Sequence, residues 1–202
     1  MRELILASSS SRRQYLMDQL NLEYRVCVSN IDESIFAGEL PEEYVSRMAC
    51  TKAEVVSRLI ANESSVNKLS ANESFRHQII LAADTIIAMD GKILGKPKDA
   101  QDAKETLVKL SDAKHDVLTA LYLKTDKVDY KSLVRSGVKF KLLENIELEA
   151  YCSTTEPYDK AGAYAIQGAG ASFVEYLSGS YTNVVGLPVQ AVCELLKKCK
   201  FL

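Results

Sequence analysis

Ile79-Ile80-Leu81-Ala82-Ala83-Asp84-Thr85-Ile86-Ile87-Ala88-Met89-Asp90-Gly91 is the stretch on which the fold turns. Ile79 to Ala83 read as a strand, and Ile86 to Met89 continue it past Asp84-Thr85. Asp90-Gly91 is a strong hairpin signal. Asp84 breaks the apolar pattern, and an ionised carboxylate there is costly unless a cation or a metal compensates it. Two readings stand: a capping or turn aspartate at a strand kink, or a metal ligand or general base.

Moving toward the N-terminus, Pro41 suits the first turn of a helix, and Glu42 and Glu43 suit its positive end. That helix is expected to run to about Ile60, with an exposed loop or frayed extension over 61–77. Val45, Met48, Ala49, Val56 and Leu59 mark its apolar stripe, and Lys52 falls in the middle of that stripe. Lys52 either snorkels past its neighbours or aims its cation at a buried anion. Further upstream, Leu4-Ile5-Leu6-Ala7 reads as a buried strand, Ser8 to Ser11 as a polar turn, and Leu16 and Leu20 continue at helical spacing. Hydroxyls at such a junction (Ser8, Ser10), with free helix N–H groups and the forked donors of Arg12 and Arg13, suit a phosphate. The alternative is a serine N-cap beside solvated arginines. A second strand is expected at Tyr24–Val28, followed by a loop with Asp32, Glu33 and Gly38.

Toward the C-terminus, Gly95-Lys96-Pro97 lacks the spacing of a Walker A loop. Lys96 is either a solvated loop lysine or a phosphate contact, and Glu33 either an exposed acid or a second metal-binding carboxylate. Asp99 can cap a helix over Ala100–Leu110. Strands are expected at Val117–Leu123, Val134–Leu143 and Ser172–Leu177, with a short helix over 145–155. Pro188 opens a last helix whose Val189, Val192, Cys193 and Leu196 face inward. Strands and helices interleave along all of 1–202, which predicts a single α/β domain.

The chain has 202 residues, 47% of them hydrophobic, and a formal net charge of -2. That balance disfavours a nucleic-acid or membrane surface, and any basic site has to be local. No apolar run approaches the roughly 18 residues of a membrane span, and Met1 to Ala7 does not resemble a signal peptide. The five cysteines form no C-x-x-C pair, which suits a reduced, cytoplasmic setting. Two carboxylates with four or five cations make the inventory of a Mg²⁺-triphosphate site.

Several motifs in order resemble the Maf family of nucleotide pyrophosphatases. They are Ser8-x-Ser10-x-Arg12-Arg13, Ala83-Asp84-Thr85, Leu94-Gly95-Lys96-Pro97, Glu156-Pro157-Tyr158-Asp159-Lys160-Ala161-Gly162-Ala163-Tyr164-Ala165-Ile166-Gln167-Gly168, Gly179-Ser180-Tyr181 and Val184-Val185-Gly186-Leu187-Pro188. The resemblance implies an elongated mixed-sheet fold like that of the inosine-triphosphate pyrophosphatases, with two lobes around a central cleft. It implies cleavage of a nucleoside triphosphate between the α- and β-phosphates with a divalent cation, Mg²⁺ or Mn²⁺. By the same resemblance Asp84 is the acid-base residue, and Glu33, Lys52 and Lys96 are the other charged cleft residues. Arg12 and Arg13 match the phosphate-binding arginines. The carboxylate and cation set itself predicts Glu33 and Asp84 as the metal's ligands, and the junction before the helix predicts Ser8 and Ser10 beside the phosphates. Arg12, Thr85 and Gln167 track base preference and match the branch acting on dTTP and UTP. A glutamine amide offers a donor and an acceptor to a pyrimidine edge. Related proteins are often dimers, which implies a homodimer. The competing expectations are turnover of 7-methyl-GTP or another modified nucleotide, and a non-catalytic nucleotide-binding regulator of septum formation. Ser11, Asp112 and Ala120 depart from the family's common proline and glycines.

Overall fold

The computed structural model describes residues 2–66 and 78–202. Its elements are β1 (Glu3–Leu6), α1 (Ser11–Asp18), β2 (Arg25–Val26), α2 (Pro41–Val66), β3 (Gln78–Met89), β4 (Lys92–Leu94) and α3 (Ala100–Leu110). There follow β5 (Lys114–Lys124), β6 (Tyr130–Phe140), α4 (Asn145–Cys152), three short 3₁₀ turns, β7 (Val174–Ser178), α5 (Tyr181–Val185) and α6 (Val189–Lys198). The class is α/β, as the interleaving predicts.

The expected central strand is unbroken from Gln78 to Met89 and runs through Asp84 without a kink. Asp90 and Gly91 both take positive φ, 51° and 73°, and turn the chain into β4. The sheet order is β2-β1-β3-β5-β6-β7, with β4 also on β3. β1 lies parallel to β2 and to β3, and the other pairings are antiparallel.

The register opens the site. β5 pairs with β3 from Ile80 to Ala88 and occupies one edge along almost its whole length. The other edge is shared: β1 covers Gln78 to Leu81, and β4 covers Ile87 to Met89. Between them, residues 82–86 have no strand on that edge, apart from the Ala7 amide that extends the β1 ladder to the Leu81 carbonyl at 2.8 Å. Asp84 and Thr85 sit in this window.

Side chains of β3 alternate between two cores. Ile79, Leu81 and Ala83 face α1, α5 and α6, whereas Ile80, Ala82, Ile86 and Ala88 face α2. Asp84 shares the parity of the second set and therefore points to α2. The stripe on α2 buries Val45, Met48, Ala49, Ala53, Val56 and Ile60 against that face. Each of its larger side chains contributes about 2 kcal/mol by leaving water. Lys52 lies within the stripe, one turn from Met48 and from Val56, so α2 carries its ammonium toward β3.

Several boundaries differ from expectation. α2 runs to Val66, beyond Ile60, and the rest of the Asn- and Ser-rich stretch, 67–77, lies outside the described residues. β2 has only two residues in place of Tyr24–Val28, because it pairs with a four-residue strand on one side alone. β6 spans Tyr130–Phe140 and not Val134–Leu143, since β5 offers ladder partners back to Leu123. The short helix after Glu144 stops at Cys152, and Pro157 lies in a 3₁₀ turn. No helix among the described residues is long and apolar enough to cross a membrane.

Candidate active site

The window in the sheet opens into a cleft of about 610 Å³. Its walls carry Arg12, Arg13, Lys52, Lys96 and Lys160 against Glu33, Asp84 and Asp159. Five cations against three acids make a local excess of positive charge in a chain of net charge -2. A charge field of that sign, confined by apolar walls, concentrates polyanions.

Asp84 is 8% exposed. Its Oδ1 lies 2.6 Å from Lys52 Nζ, which also lies 2.8 Å from Glu33 Oε1. Lys52 thus bridges the two carboxylates. Of the two readings of Lys52, the cation aimed at a buried anion is the one the geometry supports. Burial, the largest influence on Glu33, pushes its carboxyl up. The hydrogen bond and charge of Lys52, with Lys96 and Arg13, outweigh burial and leave it below the ordinary carboxylate range. Glu33 comes from the irregular loop before α2, which α2 itself pins. Tyr44 Oη donates to the Glu33 carbonyl at 2.9 Å, and Arg47 grips the Ser34 carbonyl and the Glu39 carboxylate.

Ser10 N-caps α1, its Oγ accepting from the Arg13 amide at 3.5 Å, so the serine cap and the arginine cluster are both real. Ser11 and Arg12 supply the first-turn N–H groups that such a cap leaves over. Arg13 is held on three sides. Its Nε donates to the Gly186 carbonyl at 2.8 Å, one terminal nitrogen to Ser8 Oγ at 3.3 Å, and the other to Thr85 Oγ1 at 3.0 Å. Burial lowers the Arg13 pKa, opposed by the charge of Asp84. A guanidinium stays protonated even so, which leaves a rigid, poorly hydrated cation at the cleft wall. Arg12 is likewise lowered by burial and supported by Asp159.

The structure brings Ser8, Ser10, Arg12, Arg13, Glu33, Lys52, Asp84, Thr85, Lys96 and Gln167 to one cleft. Thr85 Oγ1 is engaged by Arg13, by Thr119 Oγ1 at 2.9 Å and by the Gly186 carbonyl at 3.2 Å. It braces Arg13 in this arrangement. Lys96 and Gln167 are exposed at the rim. Sequence reasoning singled out neither Asp159 and Lys160, a charged pair just before a small-residue run, nor Tyr44 and Arg47, about two turns and one turn before Lys52 on α2. The Gly186 carbonyl that anchors Arg13 is backbone and leaves no side-chain signal.

A hard divalent cation suits this donor set. Lys52 occupies one oxygen of each carboxylate, and the second oxygens of Asp84 and Glu33 remain for a cation that takes its other ligands from phosphate and water. Among the described residues no group of three or more His, Cys, Asp or Glu is gathered as a metal cage.

The family model described as Maf-like protein matches residues 3–199. The dTTP/UTP pyrophosphatase of Desulfotalea psychrophila is 44% identical over 197 residues, covering 96% of this chain and 92% of its own. Its counterpart of the same name from Syntrophomonas wolfei is 43% identical over 196 residues, covering 96% and 95%. The Ham1 protein of Staphylococcus aureus aligns at a TM-score of 0.45 and 15% identity, over 69% of this chain and 72% of its own, and adds nothing about the cleft. Since the sequence match runs from the strand before Ser8 to the helix beyond Gly186, and so takes in every wall of the cleft, the chain belongs to the Maf-like family.

Proposed function

We propose that the cleft hydrolyses dTTP and UTP to the nucleoside monophosphate and pyrophosphate. The observation that carries this reading is Lys52 bridging Asp84 and Glu33 at the back of a basic cleft. Relatives matched over 92% and 95% of their own length that carry the name dTTP/UTP pyrophosphatase support the substrate class.

Glu33 and Asp84 would hold Mg²⁺ or Mn²⁺, which when bound would neutralise charge on the phosphates. Asp84 accepts a proton from the water that attacks the α-phosphorus. Lys52 orients that carboxylate and keeps it from the apolar surroundings. Arg12, Arg13 and Lys96, with the serine hydroxyls and the first amides of α1, bind the phosphates and stabilise the charge that spreads over them. Ser8 and Thr85 hold Arg13 in place, so the guanidinium needs little reorganisation during the reaction. Gln167 meets the base at the rim. Five free cysteines suit a reducing cytoplasm.

A panel of the common nucleoside triphosphates, 7-methyl-GTP included, tests this directly by product analysis with Mg²⁺, with Mn²⁺ and with chelator. Pyrophosphate release, fastest on dTTP and UTP and abolished by chelator, is the expected result. Orthophosphate as the product, preference for 7-methyl-GTP, or tight binding without turnover each overturns it.

A further inference from the structure

Away from the phosphate-facing groups, one carboxylate grips a loop. Glu156 opens the 3₁₀ turn Glu156–Asp159 after α4. Its Oε1 accepts from Tyr151 Oη at 2.9 Å and from the Gly170 amide at 3.1 Å, and its Oε2 accepts from the Ala169 amide at 3.0 Å. Tyr151 Oη in turn accepts from the Ala165 amide at 3.3 Å. The chain is therefore held two residues before Gln167 and again two and three residues after it.

The fit is close. A Cβ on Gly168 would lie 2.3 Å from the Glu156 carboxylate, and one on Gly170 would lie 2.9 Å from the Ala165 carbonyl oxygen. Tyr151 is itself fixed, buried, with its ring edge-on to Phe173 at 4.9 Å between centroids. Burial, the largest influence on Glu156, pushes its carboxyl up, but the two amides, Tyr151 and Lys160 together bring it below its ordinary value. The clamp is charge-assisted at neutral pH, which makes its hydrogen bonds the stronger kind. Neither Glu156 nor Tyr151 lines the cleft. What they fix is where the side chain of Gln167 leaves the backbone.

We propose that Glu156 and Tyr151 are positioning residues for nucleobase selection, setting the loop from which Gln167 reads a uracil or thymine edge. This rests on the reading of Gln167 as the residue that meets the base. Uracil and cytosine differ in the donor and acceptor order of the edge they present. A carboxamide tells them apart only when its own donor and acceptor are held in place, since a mobile amide satisfies either order.

The test compares the full chain with Glu156→Ala, Tyr151→Phe and Gln167→Ala. It measures kcat and KM on UTP and CTP, and amide hydrogen exchange over residues 164–171. Gln167→Ala is expected to lose the preference for UTP over CTP. Glu156→Ala is expected to lose about tenfold of it, chiefly through KM on UTP, with kcat within about threefold and faster exchange at 165–170. Tyr151→Phe keeps the ring against Phe173, is expected to lose about threefold, and carries the test if Glu156→Ala does not fold. Lost preference in Gln167→Ala beside intact preference and unchanged exchange in the other two overturns the clamp alone. Equal falls in kcat on both nucleotides, with the preference kept, likewise make the role structural and overturn it. Intact preference in Gln167→Ala overturns the reading of Gln167 and the clamp's purpose with it.

Discussion

At the scale of single residues, the cleft is organised by charges placed where burial makes them expensive. Asp84 and Lys52 offset one another at 2.6 Å, and each violates the apolar pattern of its own element. That violation is why both were legible in the sequence. A lone carboxylate in a strand, or a lone lysine in a helix stripe, is retained only if something compensates it. Thr85 and Ser8 were legible as residues, but their engagement with Arg13 was not, because it depends on a carbonyl 173 positions away. Asp84→Asn keeps the side chain's shape and one oxygen for Lys52 but removes the proton acceptor and the anionic oxygen offered to a cation. We expect turnover on UTP to fall about a hundredfold or more, with an unchanged circular dichroism spectrum. Turnover near that of the parent chain would remove Asp84 from the role.

His115 supplies a pH prediction of a different kind. It is buried, its Nε2 lies 2.9 Å from Tyr164 Oη, and burial lowers its pKa from 6.5 to about 4. The unfolded chain therefore takes up this proton before the folded one does, and stability declines as pH falls from 6.5 toward 4. The loss from this group reaches about 3 kcal/mol at the acid end. Denaturant unfolding at a series of pH values is expected to show that decline in the parent chain and a shallower one in His115→Gln. Parallel curves would assign the acid sensitivity elsewhere.

At the scale of elements, the site exists because β3 has more neighbours than one edge can hold in register. β1 and β4 share that edge and leave residues 82–86 between them. The strand and its hairpin were legible from apolar runs and Asp90-Gly91. The gap was not, since strand partners far apart in sequence leave no local trace. Lengths failed for the same reason: β2 is short and β6 long because of what each pairs with. The opposite wall hangs on Asn183 of α5, which is fully buried and whose Nδ2 donates to the Val117 carbonyl and to Ser136 Oγ, each at 3.0 Å. Asn183→Ala removes the donor to the Val117 carbonyl and one of the contacts of Ser136 Oγ, which keeps its bonds to the Ser180 backbone, and loosens the segment whose Gly186 carbonyl anchors Arg13. A loss of about 2 kcal/mol in urea unfolding is expected, with a raised KM for UTP. Unchanged stability would mean that α5 does not depend on the Asn183 side chain.

At the scale of the whole molecule, a chain of net charge -2 gathers five cations into one cleft. Composition disfavoured a general polyanion-binding surface and left room for a local basic site, and the cleft is locally basic. The ordered motifs carried the family, and all but Gly179-Ser180-Tyr181 contribute to a wall: Ser8 to Arg13, Asp84-Thr85, Lys96, the loop through Gln167, and Gly186. Their spacing along the chain says nothing of distance across the cleft, so the lysine bridge between Glu33 and Asp84 had to await the structure.

The central claim is that water, activated beside Asp84, attacks the α-phosphorus of a bound triphosphate. Hydrolysis of UTP by this chain in ¹⁸O-enriched water, followed by mass spectrometry of both products, tests it most directly. The account predicts the heavy oxygen in UMP and none in pyrophosphate. Label in pyrophosphate, or in orthophosphate released from the γ position, would contradict it.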